Sequence, residues 1–258
     1  MSTVSPLFLF AVPLLPLLAG VLVRGASPTT AGRVATVAAG LASALAVLGA
    51  AALVLGGPLT ARWAPLGSES AWALSLRLDG VSAVMSVLVS LLGLVVLRFS
   101  RSYLSGDPAQ GRFFSWMSLT LASVLVLVLS GNLLLLLAAW ISTSLGLHRL
   151  LLHYPDRAGA HFSARKKFVV SRLGDLCLAA ALVLLHRAYG TWELESIFAA
   201  IEAGRTGDLA PVGFLLVACA ALKSAQLPFH SWLPDTMETP TPVSAFMHAG
   251  IINAGVHE

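Results

Sequence analysis

The chain has 258 residues, 57% of them hydrophobic and only 11% charged, where a soluble domain carries about 25% charged residues. That balance excludes an ordinary soluble fold. The formal net charge of +4 does not point to nucleic acid, because the Arg and Lys residues sit in short connections between apolar segments, where they act as topology signals. The only cysteines, Cys177 and Cys219, lie in or beside apolar runs and offer neither a disulfide framework nor a zinc or iron-sulfur ligand set.

Uncharged runs long enough to cross a bilayer recur along the chain, at Val4 to Val23, Val34 to Leu55, Gly80 to Leu97 and Phe113 to Leu129, then Leu133 to Leu152, Phe168 to His186, Leu209 to Leu227 and Thr239 to Val256. The first has no preceding positive charge, contains Pro13 and Pro16 and is followed by seven more spans, so it reads as a retained helix and not a cleaved signal. Phe113 to Leu147 carries no formal charge and is too long for one ordinary span of about 20 residues. Gly131-Asn132 marks a turn within it, which predicts a helical hairpin.

The connections test this count. After spans one, three and five they carry Arg24 and Arg33, then Arg98, Arg101 and Arg112, then Arg149, Arg157, Arg165, Lys166 and Lys167. After spans two, four and six they carry Arg62 and Arg77, then no Lys or Arg, then Arg187 and Arg205 amid Glu193, Glu195, Glu202 and Asp208. The positive-inside rule therefore puts the odd-numbered connections in the cytoplasm and the N-terminus outside. The turn around Asp235 and Glu238, also on the inside, has no basic residue and adds no support. Trp192 to Ala203 reads either as a short interfacial helix or as residues marking the membrane boundary. The expected fold is all-α: a polytopic inner-membrane protein of about eight transmembrane helices.

The informative residues are the charges the bilayer would exclude. Between Leu209 and Pro234, Lys223 is the only formal charge, and an ammonium near mid-membrane costs about 2.5–3.5 kcal/mol to insert. Two readings are open: a working lysine in a polar cavity, or a lysine near a shortened helix end that snorkels to the surface. Pro228 promotes a helix break, and Ser224 and Gln226 supply hydrogen-bonding groups for a hydrated, unwound element. Arg172 and Asp175, at the start of span six, are spaced to pair on one helical surface, either as an acidic relay or as a structural ion pair. His248, near the middle of the last span, suits a proton chain because a neutral imidazole both donates and accepts; packing is its other reading. His230, beside Trp232, Asp235 and Glu238, lies nearer an interface, where it is a candidate gate or proton-entry group and the two acids are candidate gate or interface residues. No ligand set with metal-site spacing and no Ser-His-Asp arrangement is present in the sequence.

Lys223-Ser-Ala-Gln-Leu-Pro-Phe-His-Ser-Trp-Leu-Pro-Asp235, followed by Glu238-Thr-Pro-Thr-Pro-Val-Ser-Ala245, closely resembles the antiporter-like membrane subunits of respiratory complex I, its fifth large subunit, and the related Mrp cation/proton antiporters. Arg77-Leu-Asp-Gly80 and Ser171-Arg-Leu-Gly-Asp175 fit the same superfamily. Within it, Met247-His-Ala-Gly-Ile-Ile-Asn-Ala-Gly255 is most similar to the DabB membrane subunits of bacterial inorganic-carbon uptake systems. The resemblance implies a proton- or sodium-translocating module, residues 111–258, carried behind N-terminal helices at 1–110, with Lys223 as the broken-helix lysine and His248 on a central polar path. It implies a large soluble DabA-like, carbonic-anhydrase-related partner that holds the zinc, and no cofactor in this chain. Alternatives are a complex I or Mrp membrane subunit and a noncatalytic assembly scaffold. Superfamily members commonly contain two inverted five-helix units, of which spans four to eight match the first, so an N-terminal fragment or short homologue is expected. Complex I members usually place a glutamate directly after the span-five tryptophan, but here Trp140 is followed by Ile141. The acidic partner of Lys223 then falls to Asp175 or to another chain.

Overall fold

A computed structural model describes residues 7–64, 73–154, 158–205, 207, 209–226 and 239–248. The described elements run α1 (Phe8–Leu22), α2 (Pro28–Gly56), β1 (Leu59–Trp63), β2 (Leu74–Leu78), α3 (Gly80–Tyr103), α4 (Gln110–Leu129), α5 (Leu133–Leu151), α6 (Ala158–Tyr189), α7 (Leu194–Glu202), α8 (Ala210–Lys223) and α9 (Thr241–Phe246). Helices α2 to α6 are long and apolar enough to cross a membrane, and α1 and α8 are shorter apolar helices. The chain is thus an all-α, multi-pass membrane protein. The eighth expected span is described through α9 and His248, and its remainder lies outside the described residues.

Helix packing follows from small residues at the seams, since lipid supplies no hydrophobic drive between helices. The buried face of α2 is Ala31, Gly32, Ala35, Ala38, Ala39, Ala42, Ser43, Ala46 and Gly49, against which α1 and α3 close. Gly20 of α1 lies so near α4 that a Cβ there would stand 2.7 Å from Leu119 Cγ and 2.9 Å from the Ser115 carbonyl. In the native chain Ser115 Oγ donates to the Gly20 carbonyl at 2.6 Å. Beyond this first cluster, α4 packs on α5, α5 on α6 and α6 on α8, and Trp140, Leu178, Leu182 and Cys219 centre a second core.

Two features differ from the sequence reading. Residues 56–79 are more than a connection: β1 and β2 pair antiparallel, Leu59 opposite Leu78 and Trp63 opposite Leu74. Of the two readings of Trp192 to Ala203, the short helix is the one that forms, as α7, and Glu193 before it is a clasp that the sequence does not announce. Its carboxylate accepts from Ser75 Oγ at 2.5 Å and Asn132 Nδ2 at 3.1 Å and lies 3.6 Å from Arg62. Asn132 also caps α5 by accepting from the Leu134 and Leu135 amides. Gly131 N–H donates to the Ser75 carbonyl, and Leu133 N–H to that of Trp192. The hairpin, the α4–α5 turn and α7 are thereby tied together. Glu193→Ala removes the acceptor that joins three segments and is expected to destabilise the solubilised protein by about 1–3 kcal/mol, read as a lower thermal unfolding midpoint.

A second knot joins the α3–α4 turn to the end of α5. Asp107 Oδ2 accepts from Tyr154 at 2.9 Å and stands 3.3 Å from His153 Nε2, while Arg112 donates to the His153 carbonyl. Burial holds His153 below its ordinary 6.5 and Arg112 adds to that, the bond and charge of Asp107 opposing without cancelling. Burial alone would raise Asp107, but the Ala109 amide, Tyr154 and His153 outweigh it and hold the carboxyl below 3.8. The unfolded chain therefore protonates both groups more readily than the folded one. The His153 contribution is present above about pH 6.5 and fades as pH falls through that value and below; that of Asp107 fades on further acidification. The unfolding midpoint is expected to drop between pH 7.5 and 5.5, and to drop less in His153→Gln.

Candidate functional site

Helix α6 extends a full ten residues N-terminal of the expected span and starts at Ala158. Arg172 and Asp175 consequently sit inside a helix instead of at its start, with Arg172 Nη2 at 2.7 Å from Asp175 Oδ2. The same extension overturns the reading of Lys167 as one of several cytoplasmic topology charges. Lys167 is buried, 5% exposed, and its ammonium donates to the Ser144 carbonyl at 2.8 Å and to Ser144 Oγ at 3.2 Å. Ser144 Oγ takes a further bond from Arg172 at 3.3 Å. Positions 167, 171 and 175 recur every four residues and so share one face of α6; that spacing was the available signal for Lys167, hidden beside Arg165 and Lys166.

Lys223 closes the site from α8. It is the last residue of that helix, and its ammonium stands 3.3 Å from the centroid of the Trp140 ring, a cation-π contact of the kind worth about 2 kcal/mol or more when desolvated. The helix ends there by backbone geometry. Ala225 takes φ of 54°, the Gln226 amide reaches back to the Ala221 carbonyl at 3.0 Å and that of Ser224 to Ala220 at 2.8 Å. This is a Schellman-type stop with alanine in the left-handed position that glycine usually fills. The break thus falls directly after the lysine, upstream of Pro228, which lies outside the described residues. Carbonyls at a helix C-terminus carry partial negative charge, which favours the ammonium held there.

Trp140 and Ser144 from α5, Lys167, Ser171 and Asp175 from α6, and Lys223 from α8 line one cavity of about 20 Å³. That is room for about one water molecule. Lys223 is the charge that acts most strongly on Lys167, and Arg172, Lys223 and Lys167 all bear on Asp175. Two lysines therefore share with one carboxylate, itself paired to Arg172, a space too small to dilute their fields with solvent. Ile141 is not among the lining residues, and the acid nearest Lys223 in this chamber is Asp175.

Of the other sequence candidates, His248 lies just beyond α9, exposed, and does not line the chamber. Helix α9 packs on α3 through Val243 and Phe246, which are buried. His230, Asp235 and Glu238 lie outside the described residues. Among the described residues no group of three or more His, Cys, Asp or Glu side chains is arranged to hold a metal ion.

Residues 130–257 match the family model of the NADH:quinone oxidoreductase/Mrp antiporter transmembrane region, and residues 63–114 match that of the complex I chain 5 N-terminus. The probable inorganic carbon transporter subunit DabB2 of Halothiobacillus neapolitanus is 45% identical over 71% of this chain and 34% of its own length. DabB1 of the same organism, also named a probable inorganic carbon transporter subunit, is 38% identical over 95% of this chain and 44% of its own length. The chain thus spans less than half the length of these curated relatives. In the structure of the Mrp complex from Dietzia sp. DQ12-45-1b, a chain 28% identical superposes with a TM-score of 0.82, covering 97% of this chain and 27% of that one.

Asp175→Asn leaves three cations facing no carboxylate, and breaking such a buried pair costs about 3–5 kcal/mol. The unfolding midpoint of the purified protein is expected to fall sharply. Adding Lys167→Met to Asp175→Asn is expected to restore part of the loss, a non-additivity that two independent sites would not show.

Proposed function

The chain belongs to the NADH:quinone oxidoreductase/Mrp antiporter superfamily, and on that premise we propose that it is the ion-translocating membrane subunit of a bacterial inorganic-carbon uptake complex. Its similarity to the two DabB subunits supports the carbon-uptake assignment, and the chamber between α5, α6 and α8 supports translocation. In this reading the partner is a large soluble, DabA-like, carbonic-anhydrase-related subunit that holds the zinc and performs the carbon dioxide chemistry. The ion gradient discharged through this chain makes hydration to bicarbonate directional. The N-terminus lies outside and the basic connections face the cytoplasm, in the inner membrane.

The single observation that carries the mechanism is the gathering of two lysines and one carboxylate around a cavity the size of one water. Among the described residues, a metal cation entering it would meet Lys167 and Lys223, one carboxylate already paired to Arg172, and Ser144 oxygens already bonded to Lys167. A proton needs only a base. The transported ion at this point is therefore a proton, and the bases are the two lysines. With Lys223 charged, its field favours release of a proton from Lys167; with Lys167 charged, the reverse holds. One water bridging the two ammonium positions moves the proton between them, Asp175 compensating the charge and Arg172 holding Asp175 in place. Lys167 thus takes the part that an acid at position 141 plays in complex I relatives. His248, exposed beyond α9, lies on the onward path, with His230 as an entry group and Asp235 and Glu238 at the gate.

In cells carrying the intact system, Lys223→Gln is expected to abolish bicarbonate accumulation and to make growth depend on added carbon dioxide. Lys167→Gln is expected to lower uptake by about ten- to a hundredfold, the range of an acid-base group lost from a relay, and to flatten its pH profile. Lys167→Arg, which keeps the charge but does not exchange a proton, is expected to fail as well. Unchanged uptake in Lys223→Gln would overturn the relay and leave a scaffold. Copurification with quinone-linked redox subunits instead of a zinc protein would overturn the carbon-uptake assignment in favour of a complex I subunit. Uptake driven by sodium and indifferent to proton gradient would favour an Mrp-type cation path.

A further inference from the structure

We propose that the pocket formed by the start of α2 and the end of α3 binds the phosphate of an anionic membrane phospholipid. The pocket has a volume of about 340 Å³ and is lined by Arg33 of α2 and by Arg98 and Arg101 of α3, with the hydroxyl-bearing Thr29 and Ser102 between them. This lies within the range of small-ligand sites, about 300–1,000 Å³. None of the three arginines forms an ion pair with a described carboxylate. The one acid in the adjoining turn, Asp107, is engaged by Ala109, His153 and Tyr154.

The pocket is shaped by the packing of the two helices. A Cβ at Gly32 would stand 3.1 Å from Arg101 Cγ and 3.0 Å from the Phe114 ring, so the absence of a side chain lets the Arg101 stem lie across the first turns of α2. Gln110, 8% exposed, donates to the Arg101 carbonyl at 3.3 Å. Helix α2 also presents its N-terminal end to the pocket through Pro28 and Thr29, and the partial positive charge there adds to that of the guanidiniums. Guanidinium pairs suit phosphate oxygens because their donors form a planar fork.

The surroundings favour a lipid over free phosphate or an acidic protein segment. On the same two helices, Val34, Val37, Val95 and Phe99 are exposed large hydrophobics, so a headgroup in the pocket has apolar surface beside it for its acyl chains. Phe99 and Tyr103, with ring centroids 5.5 Å apart, mark the depth of a membrane interface, where aromatic side chains concentrate. Basic pockets between helices at this depth are sites of acidic headgroup recognition.

The test uses the full-length protein with its partners, purified in mild detergent, with retained lipid measured by mass spectrometry and rebinding measured in nanodiscs of phosphatidylglycerol or phosphatidylcholine. Phosphatidylglycerol is expected to be retained over phosphatidylcholine. The double variant Arg98→Gln, Arg101→Gln is expected to weaken that preference about 25-fold, at roughly fivefold per arginine facing an anionic surface. Arg149→Gln, whose guanidinium stacks on Trp116, is the control and is expected to retain lipid as wild type does. Should the double variant not assemble, the single exposed substitution Arg98→Gln supplies the reading. Equal retention in variant and wild type would overturn the proposal, as would displacement by inorganic phosphate alone. Loss of the soluble partner with lipid content unchanged would assign the pocket to a protein contact instead. Bicarbonate uptake need not be measured, so the result stands apart from that of the relay.

Discussion

An ammonium group within a bilayer has no bulk water to solvate it, and the arrangement of α5, α6 and α8 is organised by that constraint. Lys167 is held by a backbone carbonyl and a hydroxyl of one serine on α5. Lys223 is held by an indole face on the same helix. Neither arrangement survives if α5 moves away from α6 and α8, so a helix that carries no formal charge within its apolar run becomes the wall on which both cations depend. The small residues at the seams serve the same end. At Gly146 of α5 an added Cβ would run into Thr120 of α4, and Ser144, two residues away, could not otherwise stand where it meets Lys167.

Polar groups in such a site raise one another's stakes. Among the described residues Asp175 is the single carboxylate lining the chamber, and its ion pair with Arg172 leaves the two lysines to contend with each other. In a low-dielectric enclosure that contest is large compared with thermal energy, and it makes the protonation of one lysine conditional on the state of the other. A relay of this form is driven by mutual repulsion, not by a strong acid meeting a strong base. In the proposed relay this repulsion stands in for the glutamate that complex I members usually place at the position of Ile141.

Much of this was readable from the residues because lipid makes charge rare. Lys223 and the Arg172–Asp175 pair stand out in apolar sequence, and uncharged runs mark the helices. Lys167 did not stand out, because a lysine beside Arg165 and Lys166 has the same signature as a cytoplasmic boundary, and only the length of α6, which carries it past that boundary, separates the two. The break after Lys223 was legible as a break but was ascribed to Pro228; a left-handed alanine leaves no mark in sequence. The hairpin was missed for another reason. Five-residue strands pair through backbone, and their stability here comes from Gly131, Asn132 and Glu193, more than fifty residues away. No local pattern encodes such a dependence.

The Glu193 clasp has a bearing on how the chain is put together. Its contacts join residues 62 and 75 to residues 131–133 and 193, so the hairpin between the second and third helices meets the α4–α5 turn through Ser75 and Gly131 and gains Glu193 only after the sixth helix. The hairpin also packs on the first helices, with Ala61, Leu76 and Leu78 buried in their core. A membrane-inserting chain is released helix by helix from one end, and closure of the Glu193 clasp therefore comes after the four helices, α3 to α6, that separate Glu193 from the hairpin. One carboxylate late in the sequence thereby fastens a hairpin made near its beginning.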